Sequence, residues 1–173
     1  MKIRKRQIHF FILLFAASSL LFQLPSGSFA ATPSDISATD SMDDTGSLEL
    51  NGASDVDTFT IGSSTYAIVT ARIDDGVQII DISDPAAIVA KDSMDDTDGS
   101  LELDGARNVE TFTIGSSTYA IVTSVIGIWT DAIGSVTIID ISDPADINET
   151  DFEVDGANGF TELYAAYGVD TFV

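Results

Sequence analysis

The sequence has no cysteine, and its one histidine, His9, lies close to the first residue. It has 7 lysine and arginine residues against 28 aspartates and glutamates, and residues 2–6 contain four of the basic ones. Without cysteine the chain has no disulfide framework, thiolate nucleophile or thiolate zinc site, and beyond His9 it has no histidine for a Ser-His-Asp triad or a histidine metal site. So acidic a chain does not bind nucleic acid by neutralising phosphates.

Residues 1–30 have the order of features of an export signal. A basic head at 2–6 precedes an apolar run of 13 residues at 10–22, and Ser28-Phe29-Ala30 offers small residues to a signal peptidase. The run is shorter than the ~20 residues that span a bilayer, which favours cleavage after Ala30 over an uncleaved anchor. We therefore expect a secreted or cell-surface protein with no membrane span after cleavage. Its mature part carries 3 basic and 28 acidic side chains, hence a net charge of −25.

The rest of the sequence is one unit that occurs twice and begins a third time. Residues 41–45 recur as 93–97, and residues 58–70 return unchanged as 111–123. A third copy reaches Val169-Asp170-Thr171-Phe172, the counterpart of Val56-Asp57-Thr58-Phe59. The chain therefore divides into a signal peptide (1–30), a disordered linker (31–39), a first repeat (40–91), a second repeat (92–150) and the start of a third repeat (151–173).

Each copy predicts short β-strands joined by tight turns. In the first copy, stretches that alternate in polarity or are rich in β-branched and aromatic residues are 48–50, 56–61, 66–70 and 77–82. Four strands in about 50 residues favour an all-β fold, a partial β-propeller of four-stranded antiparallel blades that this chain alone does not close. A solenoid or a β-sandwich of two copies is the alternative.

The apolar residues of these strands predict the core, because propeller sheets are covered on both faces. We expect burial of Phe59, Ile61, Tyr66, Ile68, Val77, Ile79 and Ile80 in the first copy, and of Phe112, Ile114, Tyr119, Ile121, Val136, Ile138 and Ile139 in the second. Two copies and part of a third leave sheet edges and an apolar face uncovered. We therefore expect a piece of a longer product, or a chain that self-associates through its open blade edges.

Two segments carry a family resemblance. Gly-Val-Gln-Ile-Ile-Asp-Ile-Ser-Asp-Pro at 76–85 and Val-Thr-Ile-Ile-Asp-Ile-Ser-Asp-Pro at 136–144 resemble the LVIVD repeat. The resemblance extends over residues 40–173 and implies a β-propeller in a secreted or surface protein of bacteria or archaea. It implies no reaction, since propellers serve both as enzymes and as binding platforms.

The aspartates at the end of this strand have two interpretations. They could form a ring of carboxylates around a channel and bind a cation, or they could fix the turn that follows by accepting hydrogen bonds from backbone N–H groups. Every copy needs the same turn, which favours the structural role. The residues assigned to it are Asp81, Asp84, Pro85, Asp140, Asp143 and Pro144.

Acidic residues at the start of the second copy are a weak candidate for a metal site. Clustered carboxylates are calcium ligands, and Asp95, Asp96 and Asp98 lie close in sequence. The EF-hand pattern is not met, because Met94 and Gly105 would fall at ligand positions. A solvated acidic turn is favoured, so we expect no cofactor and a melting temperature that millimolar calcium leaves nearly unchanged.

The copies differ most between their second and third strands, where residues 71–76 correspond to the longer segment 124–135. The longer segment contains the only tryptophan, Trp129, followed by Asp131. Loops on rigid scaffolds often carry binding residues, and tryptophan is a frequent anchor, so these two residues are the candidates for ligand binding. Alternatively, the segment only lengthens the hairpin and packs on its own sheet.

These observations favour a non-catalytic binding or scaffolding module at the cell surface, with a protein or a glycan as its partner. One alternative is a carboxylate-dependent glycan hydrolase, which needs two carboxyl groups flanking a cleft and a raised pKa on one of them. The other is a calcium-dependent structural array at the surface.

Overall fold

The computed structural model describes residues 38–97, 102–127, 132–159 and 161–172. The predicted signal peptide and residues 31–37 of the predicted linker lie outside these ranges. The described residues belong to one compact unit, Ala38–Val173. They contain β-strands and turns, with no helix among them, and so no described helix could cross a membrane.

The described strands form two sheets that follow the sequence repeat. Sheet 1 consists of β1 (Ala53–Ile61), β2 (Ser64–Ala71), β3 (Gly76–Asp81) and β4 (Val89–Asp95). Sheet 2 consists of β5 (Ala106–Ile114), β6 (Ser117–Ile126), β7 (Ile133–Asp140) and β8 (Asn148–Val154). In both sheets the strands lie in chain order and pair antiparallel. The predicted all-β fold with four-stranded antiparallel sheets is confirmed, and the two open sheets are consistent with blades of a partial propeller.

The first hairpin shows why the repeated sequence folds this way. Phe59 on β1 lies opposite Tyr66 on β2, and their rings stack with centroids 5.4 Å apart. Gly62 takes a φ of +63° in the turn between them, a conformation that costs glycine little. The second copy repeats the pair as Phe112 and Tyr119, at 5.6 Å. Such cross-strand aromatic pairs fix the register of a hairpin.

The prediction of which segments form the four strands was wrong in one place. Residues 48–50 form no strand, and the fourth strand is β4, which follows the Ser-Asp-Pro turn. Residues 92–95, at the start of the acidic segment that was expected to be a solvated turn, belong to this strand. The predicted repeat boundary between 91 and 92 therefore lies within β4, and the one between 150 and 151 lies within β8.

The two sheets pack face to face through their apolar residues. We call the face of sheet 1 that packs on sheet 2 its back face, and its opposite face its front face. In sheet 2, the front face is the one that packs on sheet 1, and the back face is the opposite one. The back face of sheet 1 packs on the front face of sheet 2 to form the core, whose members include Phe59, Ile68, Val77 and Ile79 from sheet 1 and Val109, Ala120, Val122 and Ile139 from sheet 2.

The burial prediction was correct for most of the first copy and wrong for much of the second. Five of the seven residues named in the first copy are buried, with Ile61 and Tyr66 half-buried. In the second copy only Ile139 is buried, and Ile114 is 66% exposed. The remaining five are half-buried: Phe112, Tyr119, Ile121, Val136 and Ile138. These five lie on the back face of sheet 2, which no complete further sheet covers among the described residues.

Candidate functional site

The carboxylates at the end of β3 bind the backbone of the turn that follows. Asp81 Oδ1 accepts a hydrogen bond from the Ser83 N–H at 3.0 Å, and Asp84 Oδ1 accepts one from the Ala86 N–H at 2.9 Å. The Ser83 hydroxyl oxygen in turn accepts from the Thr65 N–H at 3.0 Å, which ties the turn to β2. The arrangement is that of a turn stabilised by its own side chains.

The second copy repeats these bonds at the end of β7. Asp140 Oδ1 accepts from the Ser142 N–H at 2.9 Å, and Asp143 Oδ1 accepts from the Ala145 N–H at 3.0 Å. The proline of the turn is exposed in the first copy (Pro85) and buried in the second (Pro144). The bonds within the turn are therefore the same in both copies, although its surroundings differ.

These turns hold their carboxylates in the ionised form. Hydrogen bonding by the side chain and the backbone N–H of Ser83 lowers the pKa of Asp81. The same two groups of Ser142 lower the pKa of Asp140. A carboxyl group with a lowered pKa is a poor general acid near neutral pH, so these two aspartates do not have the property that a glycan hydrolase needs in its acid.

A second set of carboxylates, which the sequence interpretation missed, joins sheet 1 to sheet 2. Asp55 Oδ2 accepts a hydrogen bond from the Val109 N–H at 3.1 Å and is also bonded to the side-chain amide of Asn108. Asp57 Oδ2 accepts from both the N–H and the hydroxyl of Thr111, each at 2.7 Å. These aspartates lie on β1 and their partners on β5, so the bonds align the first strands of the two copies.

The same connection continues into the third copy. Asn108 Oδ1 accepts a hydrogen bond from the Val169 N–H at 2.7 Å, and the Thr171 hydroxyl donates to the Thr111 carbonyl at 3.3 Å. Asn108 holds the position of Asp55 one copy later, directly before the valine of Val-Asp/Glu-Thr-Phe. The polar residue directly before the first two of these tetrapeptides, Asp55 and then Asn108, was the signal in the sequence that could have revealed the connection.

A third hydrogen bond recurs in both copies, between an aspartate and the backbone N–H of an isoleucine. Asp40 Oδ2 accepts from the Ile88 N–H at 2.9 Å, and Asp92 Oδ2 accepts from the Ile147 N–H at 2.8 Å. Asp40 and Asp92 are counterparts in the repeat, as are the two isoleucines. Asp40 therefore binds the backbone just before β4, and Asp92 on β4 binds the backbone just before β8 of the next sheet.

Asp57, Glu110 and Asp170 hold the same position in the three copies, directly after the valine of Val-Asp/Glu-Thr-Phe. We call these three carboxylates the acidic row. Partial burial raises the pKa of Glu110, and the negative charges of Asp57 and Asp170 raise it further. The row is therefore a line of like charges that repel one another.

Asp75 and Asp104 are neighbouring carboxyl groups, and the pKa of one of them is raised. Burial raises the pKa of Asp104, and the charges of Asp75 and Asp96 add to the shift, together with a hydrogen bond to Asp75. Asp75 Oδ1 also accepts from the Gly105 N–H at 2.8 Å. Two carboxyl groups in direct hydrogen-bond contact leave no room for a glycosidic bond, since retaining hydrolases separate theirs by about 5 Å and inverting ones by more.

The residues proposed as weak calcium ligands are only partly described. Asp95 is the last residue of β4, and the Asp96 N–H donates to the Asp75 carbonyl at 2.9 Å, while Asp98 lies outside the described residues. Among the residues that the structure describes, no three His, Cys, Asp or Glu side chains are grouped in a way that could hold a metal ion.

The long segment of the second copy extends the hairpin between its second and third strands. Strands β6 and β7 gain the pairs Val125 with Gly134 and Ile126 with Ile133, which the shorter hairpin of sheet 1 does not have. Val125 is only 3% exposed, so this extension packs on the protein. Trp129 and Asp131, the predicted ligand-binding residues, come between β6 and β7 in the sequence and lie outside the described residues.

Comparison with known proteins gives one match. The family model described as LVIVD repeat matches residues 63–96, which run from the first hairpin turn to the end of β4, and residues 130–151, which contain β7 and the beginning of β8. No curated protein and no solved structure matches the chain.

Proposed function

Since the chain is an LVIVD-repeat protein, we propose that it is an exported, non-catalytic binding module that contacts its ligand through the tip of the β6–β7 hairpin. The observation that carries this proposal is the difference between two otherwise matching hairpins. Residues 58–70 and 111–123 are identical, yet β6 has 10 residues where β2 has 8, and β7 has 8 where β3 has 6. β6 and β7 are therefore each two residues longer than β2 and β3, and the sequence that joins them contains the only tryptophan.

The roles of the acidic residues support a non-catalytic function. The turn aspartates, represented by Asp81 and Asp140, and the aspartates between copies, represented by Asp55, Asp57 and Asp92, all accept hydrogen bonds from backbone N–H groups. These carboxylates stabilise the fold, and hydrogen bonds lower the pKa of Asp81 and Asp140. A general acid, by contrast, must carry a proton near neutral pH.

The composition of the tip indicates the class of ligand. The indole ring of Trp129 offers a flat apolar surface with one N–H donor, and Asp131 offers a carboxylate acceptor, a combination suited to a sugar ring or to a protein side chain with a donor. The net charge of −25 after cleavage repels polyanions. We therefore propose a neutral or basic glycan or protein at the cell surface as the ligand.

Export is part of this proposal and rests on residues 1–30. Mass spectrometry of the protein recovered from the medium or the cell surface of an expressing host tests it. We expect a first residue of Ala31, after cleavage behind Ala30, and recovery of an uncleaved chain from the cytoplasm would contradict it.

The single tryptophan makes binding at the tip directly measurable, because the fluorescence of the protein at an excitation of ~295 nm comes from Trp129 alone. The purified protein is titrated with neutral, basic and acidic glycans and with cell-surface protein fractions. We expect a neutral or basic ligand to shift or quench this emission, and the variant Trp129→Ala to lose binding when affinity is measured by calorimetry.

A matched variant and an activity assay complete the experiment. Tyr164→Ala removes an aromatic residue that is 49% exposed elsewhere on the chain, and it should leave binding intact. Equal binding by Trp129→Ala would contradict a site at the tip. Release of new reducing ends from any bound glycan would show a hydrolase and contradict a non-catalytic function.

A further inference from the structure

We propose that two copies of this chain associate head to tail, the front face of sheet 1 in one copy packing on the back face of sheet 2 in the other. Matching positions in the two sheets have similar sequences but differ in what covers them.

Among the described residues, the front face of sheet 1 is uncovered along β1, whereas Ala67 and Ile80 farther across the same face are buried. Val56 on β1 is 57% exposed, whereas its counterpart Val109 on β5 is 1% exposed because it packs against sheet 1. Ala53 is exposed and its counterpart Ala106 is fully buried. An open apolar groove of about 360 Å³ lies on this face, and its lining consists of Ala53, Ser54, Asp55, Val56 and Val69.

The back face of sheet 2 is incompletely covered. Val77 and Ile79 on the back face of sheet 1 have no exposed surface, but their counterparts Val136 and Ile138 are only half-buried. A groove of about 200 Å³ lies on this face. Its lining consists of Val136, Ile138, Asp151, Phe152, Glu153 and Leu163.

A hydroxyl group on this back face lacks the partner that its counterpart has. Thr70 donates to the carbonyl oxygen of Arg107 in the next sheet at 3.2 Å. Thr123 holds the same position one copy later and is 2% exposed, and its hydroxyl has no hydrogen-bond partner. Buried hydroxyl groups are normally satisfied, so this one marks a place where a further sheet would supply a carbonyl group.

The interface inside the chain shows which surface fits the grooves. The back face of sheet 1 and the front face of sheet 2 already pack together through Ile68, Val77 and Ile79 on one side and Val109 and Val122 on the other. The back face of sheet 2 carries the counterparts of the first group, and the front face of sheet 1 carries those of the second. A second copy therefore brings a surface that the fold already accepts.

The polarity of the contact follows from this correspondence. In each chain the front face of sheet 1 is uncovered along β1 and the back face of sheet 2 is incompletely covered. These two surfaces differ, so the contact joins unlike surfaces. Residues 161–172 lie against the back face of sheet 2 without forming a strand, and they leave Val136 and Ile138 accessible beside the groove. Val169 already lies beside Asn108, as Val109 lies beside Asp55, so the second chain covers the remaining part of this face, around Val136 and Ile138.

Light scattering of the exported chain over a range of concentrations tests the proposal. We expect a molar mass that rises with concentration to at least twice that of one chain, and a fully monomeric state for Val56→Arg, which places a charge on the front face. Val89→Arg is the matched control, because Val89 is 52% exposed on β4, away from the front face, and it should associate like the unchanged protein. A monomer at every concentration, or association by Val56→Arg, would overturn the proposal.

A mixing experiment tests the polarity. Ile138→Ser damages the back face, and Val136→Ser is a second variant of that face should the first fail to fold by circular dichroism. Each back-face variant alone should be monomeric. Mixed with Val56→Arg, it should form a one-to-one dimer and nothing larger, because one intact front face and one intact back face remain in the mixture. Dimers of a back-face variant alone, with none in the mixture, would show a symmetric front-to-front contact and overturn the proposal.

Discussion

The Oδ2 atom of Asp55 accepts a hydrogen bond from the backbone N–H of Val109 at 3.1 Å, and so joins the first strand of one sheet to the first strand of the next. The bond recurs one copy later, between Asn108 and the N–H of Val169. Neither bond belongs to a β-ladder. Side chains that reach across the interface therefore help to hold the sheets together, and the identity of Asp55 and Asn108 matters for stability.

Replacement of Asp57 tests how much these bonds contribute. Its carboxylate accepts from the N–H and the hydroxyl of Thr111, and both donors lose their partner in Asp57→Ala. Because unsatisfied, partly buried donors cost free energy, we expect the free energy of unfolding to fall by about 1–3 kcal/mol. Urea unfolding followed by circular dichroism measures the change.

Two further variants separate hydrogen bonding from charge. Asp57→Asn keeps an acceptor oxygen and should lose less stability than Asp57→Ala. Asp43→Ala removes one exposed negative charge and should leave the unfolding midpoint within the error of the measurement. If all three variants unfold at the same urea concentration, the bonds between sheets do not stabilise the fold.

The pentapeptide Ser-Met-Asp-Asp-Thr shows where prediction of the fold from sequence ends. At 93–97 its first three residues belong to β4, where they pair with β3. At 41–45 the same sequence forms no strand. The peptide has little apolar alternation, so its conformation depends on the strand beside it, and this partner cannot be read from a local window.

The turn residues could be predicted, because Asp81 and Asp140 bond to groups two positions along the chain. The carboxylates between sheets could not, since Asp57 and Thr111 are 54 positions apart and their contact depends on how the sheets stack. The burial of Val109 and the exposure of Val56 differ for the same reason, although both valines begin the same kind of segment.

The turn aspartates give a prediction for stability in acid. Hydrogen bonds lower the pKa values of Asp81 and Asp140 in the folded chain, so their ionised forms favour folding. This contribution is complete above the unfolded value of about 3.9 and is lost as the pH falls through the lowered folded values. We expect the double variant Asp81→Asn, Asp140→Asn to be less stable than the unchanged protein at pH 7.

The pH dependence of the difference is the decisive measurement. Melting temperatures of both proteins are compared from pH 7 down to about pH 2, and the gap between them should close in the acidic part of this range. The double variant Asp43→Asn, Asp44→Asn, at two exposed positions, corrects for the loss of two charges. A gap that stays constant with pH would show that the carboxylates act by shape and not by charge.

Gly134 gives a prediction for the third copy. A Cβ atom at this position would collide with the carbonyl oxygen of Leu163, a backbone atom that cannot move without its chain segment. We expect Gly134→Ala to loosen residues 161–172 from sheet 2, and so to raise their rate of amide hydrogen exchange, while exchange in sheet 1 stays slow. Gly168→Ala is the matched control, because a Cβ atom there meets nothing within 4 Å. Slow exchange of 161–172 in Gly134→Ala would contradict the packing described for this segment.

Glu110 gives the opposite pH dependence to the turn aspartates. Partial burial and the charges of Asp57 and Asp170 raise its pKa in the folded chain, so the folded state holds the proton more tightly than the unfolded state does. Stability therefore falls as the pH rises through the unfolded value of about 4.3 and on through the raised folded value. At pH 7 the ionised side chain opposes folding, and we expect Glu110→Gln to melt at a higher temperature than the unchanged protein.

Two comparisons decide whether the acidic row causes this gain. Glu162→Gln removes one negative charge at an exposed position, so it measures the general benefit of lowering the net charge, and Glu110→Gln should exceed it at low ionic strength. The excess should shrink in about 0.5 M sodium chloride, where charges are screened within a few ångströms, and should vanish below about pH 4, where Glu110 itself carries a proton. Equal gains from the two variants at pH 7 and low salt would mean that repulsion along the first strands does not weaken the fold.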